Sequence, residues 1–338
     1  MDKPLTGQAP ASAATRVHTI SVVVPVYQGE QTLAGLVDEI APLVAVQTTP
    51  AGRHYRVSEV VMVHDGAVDG SHRVMQKLAA EHAFVRPLWL SRNYGQHPAT
   101  LAGMASSSGD WVVTVDEDGQ QNPTDIGKLL DVALNGGHSL VYAKPLNPPP
   151  HGFFRNAMSG LAKWFFVTLL SNVSIGRFNS FRLIHGEIAR SVSAYCGNQV
   201  YLDVALGWVV PGSGHCPVML RDEGSRRSGY NLRKLVAHFW RLVLTSGTRP
   251  LRLISLLGTL SVLAAFAISA FAVWEKIMSR VPVAGWTSLM IVLCFFSGLI
   301  LFSLGVACEY LGITLNMAMG KPLYMLVSRP LNSDEDRV

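Results

Sequence analysis

The chain has 338 residues, roughly enough for two domains, with 49% apolar and only 15% charged residues. An average soluble domain is about 25% charged, so this balance, with a mean hydropathy of +0.27, excludes a disordered, collagen-like or ordinary highly soluble protein. The 28 basic and 23 acidic residues leave a mild +5, which suits contact with phosphates or an anionic membrane surface; it falls short of a basic stripe, and no nucleic-acid partner is expected.

Residues 1–17 are rich in Ala, Thr and Pro without an apolar core, and read as a disordered tail rather than a signal peptide. Ile20–Val26 (ISVVVPV) is a β-branched run that predicts a buried strand, and helical periodicity follows from Gln31 to Val46. Val57–Val63 predicts a second strand, Ser71–His82 a helix, Val85–Leu90 a third strand, and Pro98–Ser108 a helix opening on proline. Trp111–Val115 (WVVTV) predicts a fourth strand and Leu140–Ala143 a fifth. Continuous apolar strands alternating with helices imply an α/β fold with a largely parallel sheet covered on both faces. In such sheets ligands bind beyond the C-terminal strand ends.

The polar clusters of the sequence fall at those ends. They are Pro25–Glu30 after strand one, His64–Ser71 after strand two, Ser91–Gly95 after strand three, Asp116–Gln120 after strand four and Lys144 after strand five. Any one of them also reads as a helix cap or turn. Asp116-Glu117-Asp118 carries the most chemical meaning, because three consecutive carboxylates repel one another unless a cation or solvent intervenes. After a strand, alternate residues share a side, so Asp116 and Asp118 can face one ligand; such hard oxygen donors suit Mg²⁺ or Mn²⁺ bridged to substrate phosphates. No GxGxxG follows the first strand and no P-loop is present, which disfavours dinucleotide and Walker-type sites.

Further along, Leu161–Leu170 (LAKWFFVTLL) fits a helix lying in a membrane interface, with a buried core helix as the lesser alternative. Leu253–Trp274 and Trp286–Cys308 hold no charged residue; each run is about 22 residues, roughly 33 Å as a helix, enough to cross a bilayer core. The short linker between them predicts a hairpin. Arg233, Lys234, Arg241, Arg249 and Arg252 precede it, and Lys321 and Arg329 follow. That charge places both termini and the N-terminal domain on the cytoplasmic side of a plasma or inner membrane. The four cysteines form no CxxC pair, so reduced thiols are expected and a zinc site is not.

Strand-PVY…E, D-G-x-x-D-G-S, S-R-N-x-G and D-x-D-x-Q, in this order and followed by a membrane hairpin, resemble the polyprenyl-phosphate glycosyltransferases of glycosyltransferase family 2. Dolichyl-phosphate mannose synthases and bactoprenol glucosyltransferases are members. The resemblance covers residues 18–330 and implies a GT-A catalytic domain over 18–229, including an interfacial helix at 153–172. A juxtamembrane helix at 230–250, a two-helix transmembrane hairpin within 251–314 (253–274 and 286–308) and a cytoplasmic tail at 315–338 complete it.

By the same resemblance, Pro25, Tyr27, Glu30 and Asp65 line the nucleotide pocket, and Arg92 and Asn93 lie on the donor side. Asp116 and Asp118 form the metal-binding pair for Mg²⁺ or Mn²⁺, with Asp118 the direct ligand and Gln120 near donor sugar or acceptor phosphate. Lys144, Arg155 and Ser159 hold the lipid phosphate, and Arg221, Arg226 and Arg227 belong to a basic loop over the donor diphosphate. The implied activity is inverting transfer of a sugar from a nucleotide-sugar to polyprenyl phosphate at the bilayer, in a chain that can also form homo-oligomers.

The sequence departs from the family pattern in several places, and its basic loop carries extra residues. His64 stands where an aspartate is usual, Lys144 where arginine is usual, and Asn179-Ser180-Phe181-Arg182-Leu183 lacks the aspartate of a DFRL-like segment. Two other readings remain open: a family 2 enzyme acting on a saccharide or lipid-linked glycan hydroxyl, which needs a general base, and a catalytically silent membrane scaffold of the same fold.

Overall fold

The structure, a computed structural model, describes residues 16–147, 179–197, 200–221, scattered positions between 254 and 278, and 285–330. The β-branched runs form the parallel heart of one sheet: β1 (Val17–Val26), β3 (His54–His64), β4 (Val85–Leu90) and β5 (Trp111–Thr114), with a two-residue β2 (Gln47–Thr48) antiparallel to β3. Side-chain alternation along β1 explains why Val22–Val26 is apolar on both faces. Val22, Val24 and Val26 enter one core layer and Val23 the other, and all four are fully buried.

One layer is covered by α1 (Leu33–Ile40), α2 (Ser71–Glu81) and α4 (Ile126–Gly136), the other by α3 (Gln96–Ala105), α5 (Gly186–Tyr195) and α6 (Leu202–Val209). Leu33, Leu36, Val37 and Ile40 give α1 its buried stripe at helical spacing. The periodicity expected to Val46 stops as α-helix at Ile40, because Pro42 opens a 3-10 turn over Ala41–Val44.

The sheet is mixed rather than simply parallel. Its order is β8-β6-β7-β5-β1-β3-β4-β9, where β6 is Leu140–Pro145, β7 Arg182–His185, β8 Gly214–Val218 and β9 Leu326–Val327. Strand β7 runs antiparallel between β5 and β6, and β9 antiparallel to β4. A buried polar knot fixes this half of the sheet. Arg182 of β7 donates to Asp203 of α6 and, at 3.2 Å, to the Thr114 hydroxyl, while the Tyr142 hydroxyl of β6 donates to Asp203 at 2.9 Å. Arg182 is 3% exposed, so its charge depends on that partner.

Helix α7 (Trp286–Ala318) is 33 residues long and, among the described residues, is the one long and apolar enough to cross a membrane. It continues ten residues past the expected end at Cys308, since nothing from Glu309 to Ala318 breaks a helix. Gly320, at φ +63°, ends it: the Gly320 amide returns to Met317 O and the Lys321 amide to Asn316 O, both at 3.1 Å. The expected first membrane helix is described only at scattered positions, among them Leu260, Phe266 and Phe271, which are helical and exposed. The hairpin as a whole, the helix expected at 153–172 and that at 230–250 lie outside the described residues.

Candidate active site

A cleft of about 350 Å³ opens where the strand order diverges, between β5 on one side of β1 and β3 on the other. It is lined by Pro25, Val26 and Tyr27 from the end of β1, Asp65 after β3, Asn93, Gly95 and Gln96 after β4, and Asp116, Glu117 and Asp118 after β5.

Carboxylates tie these loops to one another. The Asp65 side chain accepts the Tyr94 amide at 2.6 Å and the Gly95 amide at 2.8 Å, holding the segment after β4 against the end of β3. Burial pushes its carboxyl up to about 6, against the pull of the two amides and of Arg92. Gly66 follows at φ +61°, and a Cβ there would lie 2.6 Å from the Asn93 nitrogen, so a close backbone approach as well as the dihedral requires glycine. Glu117 accepts the Tyr27 and Gln28 amides, both at 2.9 Å, and so pins the loop after β1 to the end of β5. Glu30 accepts the Gly70 amide at 3.0 Å, and Asp69 accepts the Glu30 amide at 3.2 Å, joining the loops that open α1 and α2.

Asp116 is the most constrained of the group. One carboxyl oxygen accepts Gln96 at 2.7 Å; the other accepts Gln121 at 2.9 Å and the Ser180 hydroxyl. Burial raises its carboxyl above the ordinary range; Ser180 opposes that shift, the neighbouring Asp118 adds to it, and Arg182 and Gln121 again oppose it. Asp118 accepts the Gln120 amide at 3.1 Å and lines the cleft.

The electrostatics of the cleft are one-sided. Four of its lining residues are carboxylates, and among the described residues none that lines it is basic. A polyphosphate entering here meets like charge unless a cation bridges the two. Asp116 and Asp118 supply two hard oxygen donors, and no third His, Cys, Asp or Glu joins them in a metal-sized group among the described residues. That donor set fits a divalent cation whose remaining positions are filled by water and substrate oxygens. Asp118 is the better placed for direct ligation, since Asp116 is already engaged by three side-chain donors.

Of the residues singled out in sequence, Pro25, Tyr27, Asp65, Asn93, Asp116 and Asp118 come together in the cleft. Arg92 stacks over the Tyr94 ring at 4.3 Å, and Gln120 stands next to the aspartates, its carbonyl accepting the Arg221 amide at 2.9 Å. Arg221 itself pairs with Glu39 of α1 at 2.7 Å, and Lys144 is exposed at the end of β6. Glu30 braces a neighbouring loop instead of lining the cleft. Arg155, Ser159, Arg226 and Arg227 lie outside the described residues.

His64 does not line the cleft. It is buried, edge-on to Trp89 at 5.4 Å and 6.2 Å from His72, with neither ring nitrogen hydrogen-bonded. Burial, then His72, hold it down to about 4, so it is neutral at ordinary pH.

Glu117 and Ser180 stand in segments that the sequence marks, and Gln96 and Gln121 do not, but none of the four has a site role there. For Glu117 the alternation argument pointed away from the ligand, but β5 ends at Thr114 and the pleat no longer applies. Gln121, an almost fully buried amide five residues after Asp116, carries a signal in hindsight, because a buried amide needs partners.

Residues 21–192, just over half of the chain, match the model of the family described as Glycosyl transferase family 2. The chain belongs to glycosyl transferase family 2. As a family 2 glycosyltransferase it has an α/β, GT-A-like fold with a mixed sheet. It is 26% identical over 318 residues to a bactoprenol glucosyl transferase of Shigella phage SfX, covering 92% of this chain and 99% of that one. It is 27% identical over 330 residues to an undecaprenyl-phosphate 4-deoxy-4-formamido-L-arabinose transferase of Klebsiella pneumoniae (strain 342), covering 95% and 98%. Among solved structures, glucosyl-3-phosphoglycerate synthase from Mycobacterium tuberculosis, in complex with Mn²⁺, UDP and glucosyl-3-phosphoglycerate, is 19% identical. It covers 69% of this chain and 80% of that one, with a TM-score of 0.47.

Proposed function

We propose that this glycosyltransferase moves a sugar from a nucleotide-sugar to the phosphate of a polyprenyl phosphate at a membrane surface. The observation that carries the reading is that transferases named for bactoprenol and undecaprenyl phosphate match this chain nearly end to end, through the apolar helix α7 and beyond the nucleotide-type cleft.

The chemistry suits such an acceptor. An acceptor phosphate oxygen is already anionic, so no general base is required. That oxygen bonds to the anomeric carbon as the bond from this carbon to the diphosphate breaks. The bonding pair leaves with the nucleoside diphosphate, and configuration inverts in one displacement. The enzyme's task is alignment and charge, and positioning alone is worth many kcal/mol.

Tyr27, Asp65 and Asn93 bind the nucleoside end, on a floor fixed by the Glu117 and Asp65 amide clamps. Asp118, backed by Asp116, would hold Mg²⁺ or Mn²⁺, which when bound neutralises charge developing on the leaving diphosphate. Arg92, Arg221, Arg226 and Arg227 serve the donor diphosphate; for Arg221 this requires release from Glu39. Lys144, Arg155, Ser159 and Gln120 serve the acceptor phosphate. The catalytic domain faces the cytoplasm, with the apolar helices in the membrane.

The test is an assay of full-length protein in lipid with Mg²⁺ or Mn²⁺, undecaprenyl phosphate and a panel of UDP-, GDP- and dTDP-sugars, with organic-phase products read by mass. A monophosphate-linked glycolipid is expected. Donor consumption with product only on a saccharide hydroxyl would overturn the acceptor assignment.

A further inference from the structure

The chain beyond α7 reads in sequence as a tail, yet it returns to the catalytic sheet. After the turn at Gly320, Leu323 and Tyr324 pack on the core layer that holds Leu90 and Leu101, the layer on which Tyr94 also packs. Strand β9 then pairs with β4, Val327 opposite Trp89 and Leu326 opposite Leu90, and the Ser91 amide donates to Met325 O at 3.0 Å.

The place of this contact is telling. Strand β4 spans six residues, and β9 pairs with only the last two, those leading into the segment Ser91–Gly95. A cover for an exposed sheet edge would be expected to run along more of it. Segment 91–95 supplies Asn93 and Gly95 to the cleft and the two amides that Asp65 binds. It is therefore held at both ends, by Asp65 at the Tyr94 and Gly95 amides and by Met325 at the Ser91 amide, with Tyr324 packed on the adjoining core layer. The other end of the grip is the apolar helix, whose last residue, Ala318, lies seven positions before Met325. The helix end also comes near the domain at a second place: a Cβ at Gly197 would lie 2.9 Å from the Met317 methyl group.

We propose that Leu323–Val327 is a positioning strap for the donor site, holding segment 91–95 in its binding shape and tying that shape to the seating of α7. The proposal rests on the reading of the cleft as the nucleotide-sugar site.

The test uses full-length protein in lipid nanodiscs, with Tyr324→Ala, the conservative Tyr324→Phe, and a chain ended after Lys321. Hydrogen exchange of residues 88–95 and binding of UDP, GDP and dTDP with Mn²⁺ are measured without acceptor, and steady-state kinetics with it. Tyr324→Ala and the shortened chain should lose exchange protection over 91–95. The KM for nucleotide-sugar should rise about tenfold, as displacement of a binding segment can cost that or more, while kcat and the KM for lipid phosphate stay within about twofold on the same scale. Tyr324→Phe should restore both. Unchanged protection over 91–95 would overturn the strap, as would a loss of kcat with the donor KM unmoved. If the wild-type chain binds no nucleotide, the donor-site reading fails, and loss or retention of protection over 91–95 then decides the strap by itself.

Discussion

The sheet domain and helix α7 are built from the same apolar side chains and put them to opposite use. In the domain, Val22, Leu33, Ile126 and Leu129 are fully buried; in α7, Leu301 and Phe295 are 68% and 66% exposed, and among its described side chains Val306 is the buried hydrophobic one. The first arrangement closes against itself in water. The second leaves its apolar side chains exposed, the pattern of a membrane or protein contact. Burial separates the two regions, beside the lack of charge in α7 as far as Cys308.

Four experiments break or sharpen that contrast, from the largest expected effect to the smallest. Asp118→Ala should lower transfer about 10³-fold, as loss of a main charge-stabilising group does, while membrane association and the unfolding midpoint stay at wild-type values; activity near wild type would remove Asp118 from the site. Leu129→Ala should destabilise the domain by about 2–5 kcal/mol in denaturant unfolding, whereas Leu301→Ala should shift the same transition by less than about 1 kcal/mol. Equal shifts would show that α7 packs as a core helix.

Gly66→Ala should cost about 1–3 kcal/mol through its left-handed backbone and the nearby Asn93 nitrogen. It should also weaken nucleotide binding, because segment 91–95 must move; a variant with wild-type nucleotide affinity would uncouple that turn from the cleft.

The smallest effect is in pH. His64 is held to about 4 from 6.5, so the folded state resists its protonation and stability falls as pH drops from 6.5 towards 4. Asp65 is raised to about 6 from 3.8, so its contribution is present at low pH and is lost as pH rises from 3.8 through 6. The two slopes oppose each other across the shared window. His64→Phe should therefore leave stability falling with rising pH there, and Asp65→Asn should leave it falling with acid, each by about 1 kcal/mol. Thermal unfolding of each variant between pH 4 and 6.5 measures both, and parallel profiles would show that neither group titrates as assigned.

The parts of the fold legible in sequence are those in which neighbouring residues suffice. Strands β1, β3, β4 and β5 announce themselves because burial on both faces demands runs dominated by apolar, β-branched residues. Strand β7 (RLIH) is illegible because its charged residue is neutralised by Asp203, in a helix that follows in the chain. Strand β8 contains Gly and Pro, and β9 is two residues long; both exist through partners and not propensity. In the site, aspartates beyond strand ends could be found by position. The clamps could not, because Glu117 and Ser180 act through loops about 90 and 64 residues away.

The length of α7 has one more consequence. At 33 residues it spans about 50 Å, while a bilayer's hydrocarbon is about 30 Å thick. Its final ten residues carry Glu309, Tyr310, Thr314 and Asn316, side chains suited to headgroups and water. Under the proposed membrane placement the helix is both anchor and stilt, setting how high the cleft stands above the hydrocarbon. Bilayer thickness becomes a dial on that height: a thinner membrane swallows less of the helix and lifts the cleft away from the phosphates it must reach.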